Sequence, residues 1–153
     1  MDRVNIMTYT TCTSATKQKC AGMWLVELLH NGKPQLKGGF LKRDCISRQE
    51  LTLQLLINAT YLLKRSGIEY ESICFYTDEP IIQGAFVQKW LEQWEGNNWL
   101  NAKGNEVKHA DLWKLLNKQI RGTAQRYIVS EDKSRYHTHM MTRTAKLLKE
   151  EGD

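Results

Sequence analysis

Apolar and polar positions alternate from the start of the chain. Val4, Ile6 and Thr8 fall on one side of an extended segment and Asn5 and Met7 on the other, which predicts a strand over Val4 to Thr8. A second apolar run covers Met23 to Leu29. Asn31-Gly32 follows, a dipeptide suited to a two-residue hairpin because both central positions take positive φ. Gln35 to Leu41 is then the returning strand of an antiparallel meander. After residue 46 the period changes. Leu51, Leu55, Ile57/Asn58, Leu62 and Leu63 recur at helical spacing. Ser47 and Glu50 fit the S-x-x-E capping box at the start of that helix, and Gly67 fits its C-terminal stop.

The second half continues in the same way. The compact apolar run SICFYTD, from Ser72 to Asp78, predicts a buried strand. Asp78 is then a candidate N-cap, with Pro80 in a first helical turn and a helix over Ile81 to Trp94 that ends near Gly96. A polar turn holding Asn97, Asn98, Lys103 and Gly104 separates it from the amphipathic HADLWKLLNKQI. RYIVS predicts a fifth strand. A closing helix over Thr138 to Lys149 would turn Met141, Ala145, Leu147 and Leu148 inward. The order βββαβααβα predicts an α/β fold: a mixed five-stranded sheet, an antiparallel meander plus parallel strands, with helices on both faces.

Composition adds little to this pattern. The 153 residues show no break or linker and suit one domain over 1–153. No apolar run approaches the roughly 20 residues of a membrane span, so no membrane partner is expected. MDRVNIM lacks a signal-peptide apolar region. A cytoplasmic location follows as an expectation, and with it free thiols at Cys12, Cys20, Cys45 and Cys74. These cysteines have no zinc-site spacing. The net charge of +5 is compatible with a polyanionic partner, yet the basic residues are scattered and read equally well as a solvated surface.

Particular residues narrow the field. RQEL (Arg48 to Leu51), YTD (Tyr76 to Asp78) and the series Trp90, Trp94, Trp99, Val107, Lys108 and Asp111 to Trp113 stand in an order and spacing that resemble the type 1 ribonuclease H family across nearly the whole chain. The first strand, VNIMTYTTC, fits the same pattern. The resemblance implies a ribonuclease H-like fold and two-metal hydrolysis of the RNA strand in RNA–DNA hybrids. One ion generates hydroxide and the other stabilises the leaving oxygen. Four carboxylates are needed to hold the pair about 4 Å apart.

Two of those four positions are neutral in this sequence. Glu50 and Asp78 match the family's second and third carboxylates. Tyr9 stands at the first, where an aspartate bridges both ions, and Thr142 aligns with the fourth. A phenol is normally uncharged near neutral pH, and its ring occupies space an ion would need. The loop that carries a histidine in many members reads SEDKSRYHTH here, with Asp132 nearest that position and His137 and His139 later. The first loop, Thr13 to Lys19, has no glycine, and the basic handle sets Glu95 and Glu106 against Lys103 and Lys108.

The departures fall on function while the fold markers remain. The expectation is therefore a catalytically impaired member that binds RNA–DNA hybrid or another duplex. Two alternatives stay open: an active Mg²⁺-dependent enzyme with a substitute carboxylate (Glu79, Glu131 or Asp132), and a structural module for a protein partner. Lys17, Lys19, Ser47, Trp90 and Lys103 are the candidate nucleic-acid contacts. Glu50 and Asp78, with Asp132 as a further candidate, would hold at most one weakly bound Mg²⁺ through waters. Each of these residues also has a structural reading. Glu50 completes a capping box, Asp78 caps a helix, and Trp90 with Trp94 packs a helix onto the sheet.

Overall fold

The structure, a computed structural model, describes residues 3–13, 16–30, 33–77, 79–120, 126–130 and 136–151. The chain runs β1 (Arg3–Thr10), β2 (Gln18–His30), β3 (Lys33–Ile46), α1 (Arg48–Ser66), β4 (Ser72–Tyr76), α2 (Pro80–Val87), α3 (Trp90–Gly96), α4 (Ala110–Ile120), β5 (Arg126–Ser130) and α5 (His137–Glu151). The strands form one sheet in the order β3-β2-β1-β4-β5. β1–β2 and β2–β3 are antiparallel, while β1–β4 and β4–β5 are parallel, so the sheet is mixed. The hairpin strands are longer than their apolar runs. β2 and β3 pair from His30↔Lys33 down to Gln18↔Ile46. The Asn31-Gly32 turn lies outside the described residues.

Alternation in β1 works as the pattern predicts, and both faces are covered. Val4 and Ile6 join Val26, Leu28, Phe75 and α1 residues in the main core. Met7 joins Met23, Leu25 and Met140 in a second cluster under α5. The second face also buries Glu27, which accepts from Asn5 Nδ2 (2.8 Å) and from the Tyr136 hydroxyl (2.5 Å). A buried carboxylate is tolerated only when its oxygens are bonded in this way. The contact ties the start of α5 to the sheet.

α1 begins and ends where its signals stand. The Ser47 side chain accepts the Glu50 N–H at 3.3 Å, and Gly67 takes φ 69° at the stop. The helix is buried on several sides because it lies between the sheet and α4. Leu53 and Leu56 meet Trp113 and Leu116 in the same core, and the Thr60 hydroxyl reaches Gln119 Oε1 at 3.0 Å.

Four readings need correction. The helix predicted over Ile81 to Trp94 is two helices, giving five in all: the chain breaks at Gln88-Lys89, with Lys89 at φ 58°. Glu79 rather than Asp78 holds the N-cap position of α2, without a side-chain capping bond, and Pro80 takes the first turn. Helix α5 starts one residue early and turns Met140 and Thr144 inward, leaving Met141 and Ala145 exposed. The Thr144 hydroxyl satisfies itself on the Met140 carbonyl at 2.8 Å, so a polar residue can hold a core position. Finally, Cys12 and Cys20 are a disulfide, not free thiols. They sit at the end of β1 and the start of β2, neighbouring antiparallel strands, with Cα atoms 5.5 Å apart. Cys45 and Cys74 are free.

Candidate nucleic-acid and metal site

Three chain segments, β1, β4 and α5, meet at the C-terminal end of β1. β1 delivers Tyr9, half-buried and paired with Met23 across the ladder. β4 runs parallel to it and delivers Tyr76 and Thr77. The first turn of α5 supplies His137. The Tyr9 and His137 rings meet edge to face, with centroids 5.3 Å apart. Tyr76 packs beside Tyr9 on the same cluster, and burial raises its pKa, with a smaller push from Cys74. This corner of the sheet is therefore aromatic.

Thr142 lies in the second turn of α5 and is exposed. The helix starts at His137, whose ring meets Tyr9. Glu50 is half-buried on the first turn of α1. Asp78, Asp132 and Glu131 lie outside the described residues. Glu79 is described and is already engaged: Arg48 Nε donates to its Oε2 at 2.6 Å, and its carboxylate is nearly buried.

Mg²⁺ takes hard oxygen ligands in near-octahedral geometry. The cluster that holds Tyr9 also holds Tyr76 and Tyr136, the His137 ring meets Tyr9, and no three His, Cys, Asp or Glu side chains among the described residues gather where they could hold a metal ion. These residues do not fit a two-ion cage.

The nucleic-acid candidates are dispersed. Lys17, Lys19 and Lys103 are exposed. Ser47 is buried, and its hydroxyl serves the α1 cap, which removes it as a surface contact. Trp90 is half-buried against Gly84 and Trp94. The structure adds a residue the sequence reading passed over, His109. It precedes α4 at φ 61°, and its Nε2 is buried without a hydrogen-bond partner. Burial lowers its pKa. Glu50 opposes that shift, and Lys108 and Lys17 reinforce it. Glu50, His109, Lys108 and Lys17 thus share one electrostatic neighbourhood. The signal available in the sequence was the position of His109 between Lys108 and the DLW segment.

No family model matches the chain. Among curated proteins, a Ribonuclease H of Clostridium botulinum is 30% identical over 129 residues, covering 84% of this chain and 82% of that protein. The chain belongs to the ribonuclease H family. A Ribonuclease H of Caldicellulosiruptor saccharolyticus is 32% identical over 67% of both chains. One from Thermoanaerobacter sp. is 34% identical over 95 residues, of which this chain spans only 57% of the relative's length. Solved structures agree on the fold. LC9-RNase H1, a type 1 RNase H with the type 2 active-site motif, superposes with a TM-score of 0.73 at 13% identity over 97% of this chain and 72% of that one. The N-terminal RNase H domain of rv2228c from Mycobacterium tuberculosis gives 0.68 at 8% identity over the full length of both. LC11-RNase H1, solved in complex with RNA/DNA hybrid, gives 0.65 at 8% identity over 98% of this chain and 99% of that one.

Proposed function

We propose that this ribonuclease H family member binds RNA–DNA hybrid or a related duplex as a single domain, and that its two-metal hydrolysis is impaired. The carrying observation is the Tyr9–His137 ring contact at the end of β1. Two dications there would repel each other strongly unless anionic ligands neutralised them, and a phenol and an imidazole stand there in place of carboxylates. Glu50 and Asp78 would together hold at most one Mg²⁺ through water. A substitute carboxylate is the route to an active enzyme. Glu79, the candidate that is described, already neutralises Arg48.

Family membership, the net charge of +5 and the cationic neighbourhood of Lys17 and Lys108 support a nucleic-acid partner. The LC11-RNase H1 complex supports RNA–DNA hybrid as the form to test. The test is hybrid affinity across a salt series. Each neutralised phosphate contributes about 0.9 to the negative slope of log K against log salt on duplex DNA. The expected result is a slope of several units that shrinks in Lys17→Ala. Absence of binding at low salt would instead favour a module for a protein partner.

A further inference from the structure

The connection from β1 to β2 is closed by a disulfide at its neck. Cys12 follows the end of β1, Cys20 lies near the start of β2, and the two are linked across a sequence separation of 8. We propose that this link is a thiol-sensitive clamp on the segment carrying Lys17, so that the oxidised chain binds RNA–DNA hybrid more tightly than the reduced chain. The inference rests on the nucleic-acid reading above and adds its regulation.

Four observations carry it. First, the link acts where the sheet lets go. β1 and β2 pair as far as Thr10↔Gly22, and Thr11 with Ala21 adds two bonds at 2.9 Å. On its other side β2 shifts register against β3 between Gln18 and Cys20, so that ladder is interrupted beside the link. Within the closed segment, the Thr13 N–H and hydroxyl donate to Gln18 Oε1 at 3.3 and 3.1 Å, and both bonds are exposed, where water competes for the same groups. Second, Lys17 stands inside the closed segment and is exposed. It lies near enough to His109 to act on that imidazole together with Lys108. Closing the segment restricts where this cation can go. Third, opening stays local. Cys12 and Cys20 pack with Ile46, Leu51 and Leu55 in a small cluster apart from the main core. Fourth, the two sulfur-bearing residues differ in access. Cys20 is fully buried, whereas Cys12 keeps 9% of its surface beside exposed Thr13. A thiolate of a small dithiol therefore attacks the Cys12 sulfur. The Cys12–Cys20 bond breaks, its electron pair leaves on the Cys20 sulfur, and that thiolate takes a proton. The reductant's second thiol then displaces Cys12 and closes the reductant's own disulfide. Two electrons and two protons pass to the protein.

The experiment measures affinity for an RNA–DNA hybrid across a salt series, with the chain oxidised and after reduction by dithiothreitol. Thiol counting reports the state of the link, and the assay runs below the melting temperature of the reduced chain. Cys45 is exposed and free, so every chain carries Cys45→Ser to prevent links between molecules. Lys17→Ala and Cys12→Ser are then added singly to that background. The oxidised background chain is expected to bind about threefold tighter than the reduced one, with a slope of log K against log salt steeper by about 0.9, the share of one phosphate. With Lys17→Ala the two states are expected to bind alike. With Cys12→Ser the chain is expected to match the reduced background whether or not dithiothreitol is present, and the reduced background decides the matter if that variant does not fold. Equal affinity of the oxidised and reduced chains would overturn the clamp and leave the nucleic-acid reading intact. A difference that persists in Lys17→Ala would also overturn it, as would a link that excess dithiothreitol fails to open in the folded chain. Absence of binding in both states at low salt would overturn the nucleic-acid reading, and the clamp with it.

Discussion

Tyr9 and His137 carry the account at the level of single residues. Their rings meet at the end of β1, where the sequence resemblance puts the family's first aspartate at Tyr9, so the pair to exchange is Tyr9 and His137. Tyr9→Asp combined with His137→Asp is expected to raise Mg²⁺ affinity at least tenfold by calorimetry, about 1.4 kcal/mol. Thr142→Asp alone is expected to change nothing, since that residue is exposed in the second turn. Improved binding by Thr142→Asp would restore the sequence alignment. Tyr9 was legible because one aromatic residue stood where the pattern needs a carboxylate. The position of His137 was not, because the last helix has few apolar residues to fix its phase.

His109 makes a separate prediction about pH. Burial holds its imidazole below the usual range, so as pH falls the unfolded chain takes up a proton first. Its contribution to stability is present above about pH 6.5 and is lost as pH drops through that value toward the folded-state pKa. His109→Asn keeps a residue that tolerates the left-handed backbone at φ 61° and removes the titration. Melting temperatures at pH 7.5 and pH 5 are expected to fall less in the variant than in the wild-type chain. Equal losses would remove His109 as the cause.

Helices and strands were read well where their signals were local and strong. The cap at Ser47, the stop at Gly67 and the alternation in β1 stand where the residues put them. The break between α2 and α3 was hidden because Gln88-Lys89 carries neither proline nor glycine. Its cause is tertiary. Trp90 folds back over Gly84, where a Cβ would run into the indole ring. Gly84→Ala is therefore expected to cost about 1–3 kcal/mol by overpacking, measured by urea unfolding. A neutral or stabilising result would show that the α2–α3 corner can relax. The Cys12–Cys20 link was also hidden, because it depends on the antiparallel pairing of β1 and β2 and not on spacing. Closing so short a loop restricts the unfolded chain by about 2–3 kcal/mol. Dithiothreitol is expected to lower the melting temperature of the wild-type chain and to leave Cys12→Ser, already without the link, unaffected. An equal effect on both would dismiss the link.

The molecule as a whole keeps the mixed sheet of the ribonuclease H family with helices on both faces. Its sheet topology was legible because the strands and α1 bury long apolar segments that only a few arrangements satisfy. The chemistry at the strand ends was legible only in part. Such a site is assembled from residues distant in sequence, and a helix shifted by one turn changes which of them meet. The central proposal is that the fold presents a nucleic-acid surface while a phenol and an imidazole stand where hydrolysis would require carboxylates. Cleavage of a labelled RNA–DNA hybrid, followed in Mg²⁺ and in Mn²⁺, tests it most directly. The account predicts bound hybrid with its RNA strand intact; metal-dependent cleavage that vanishes in Asp78→Asn would contradict it.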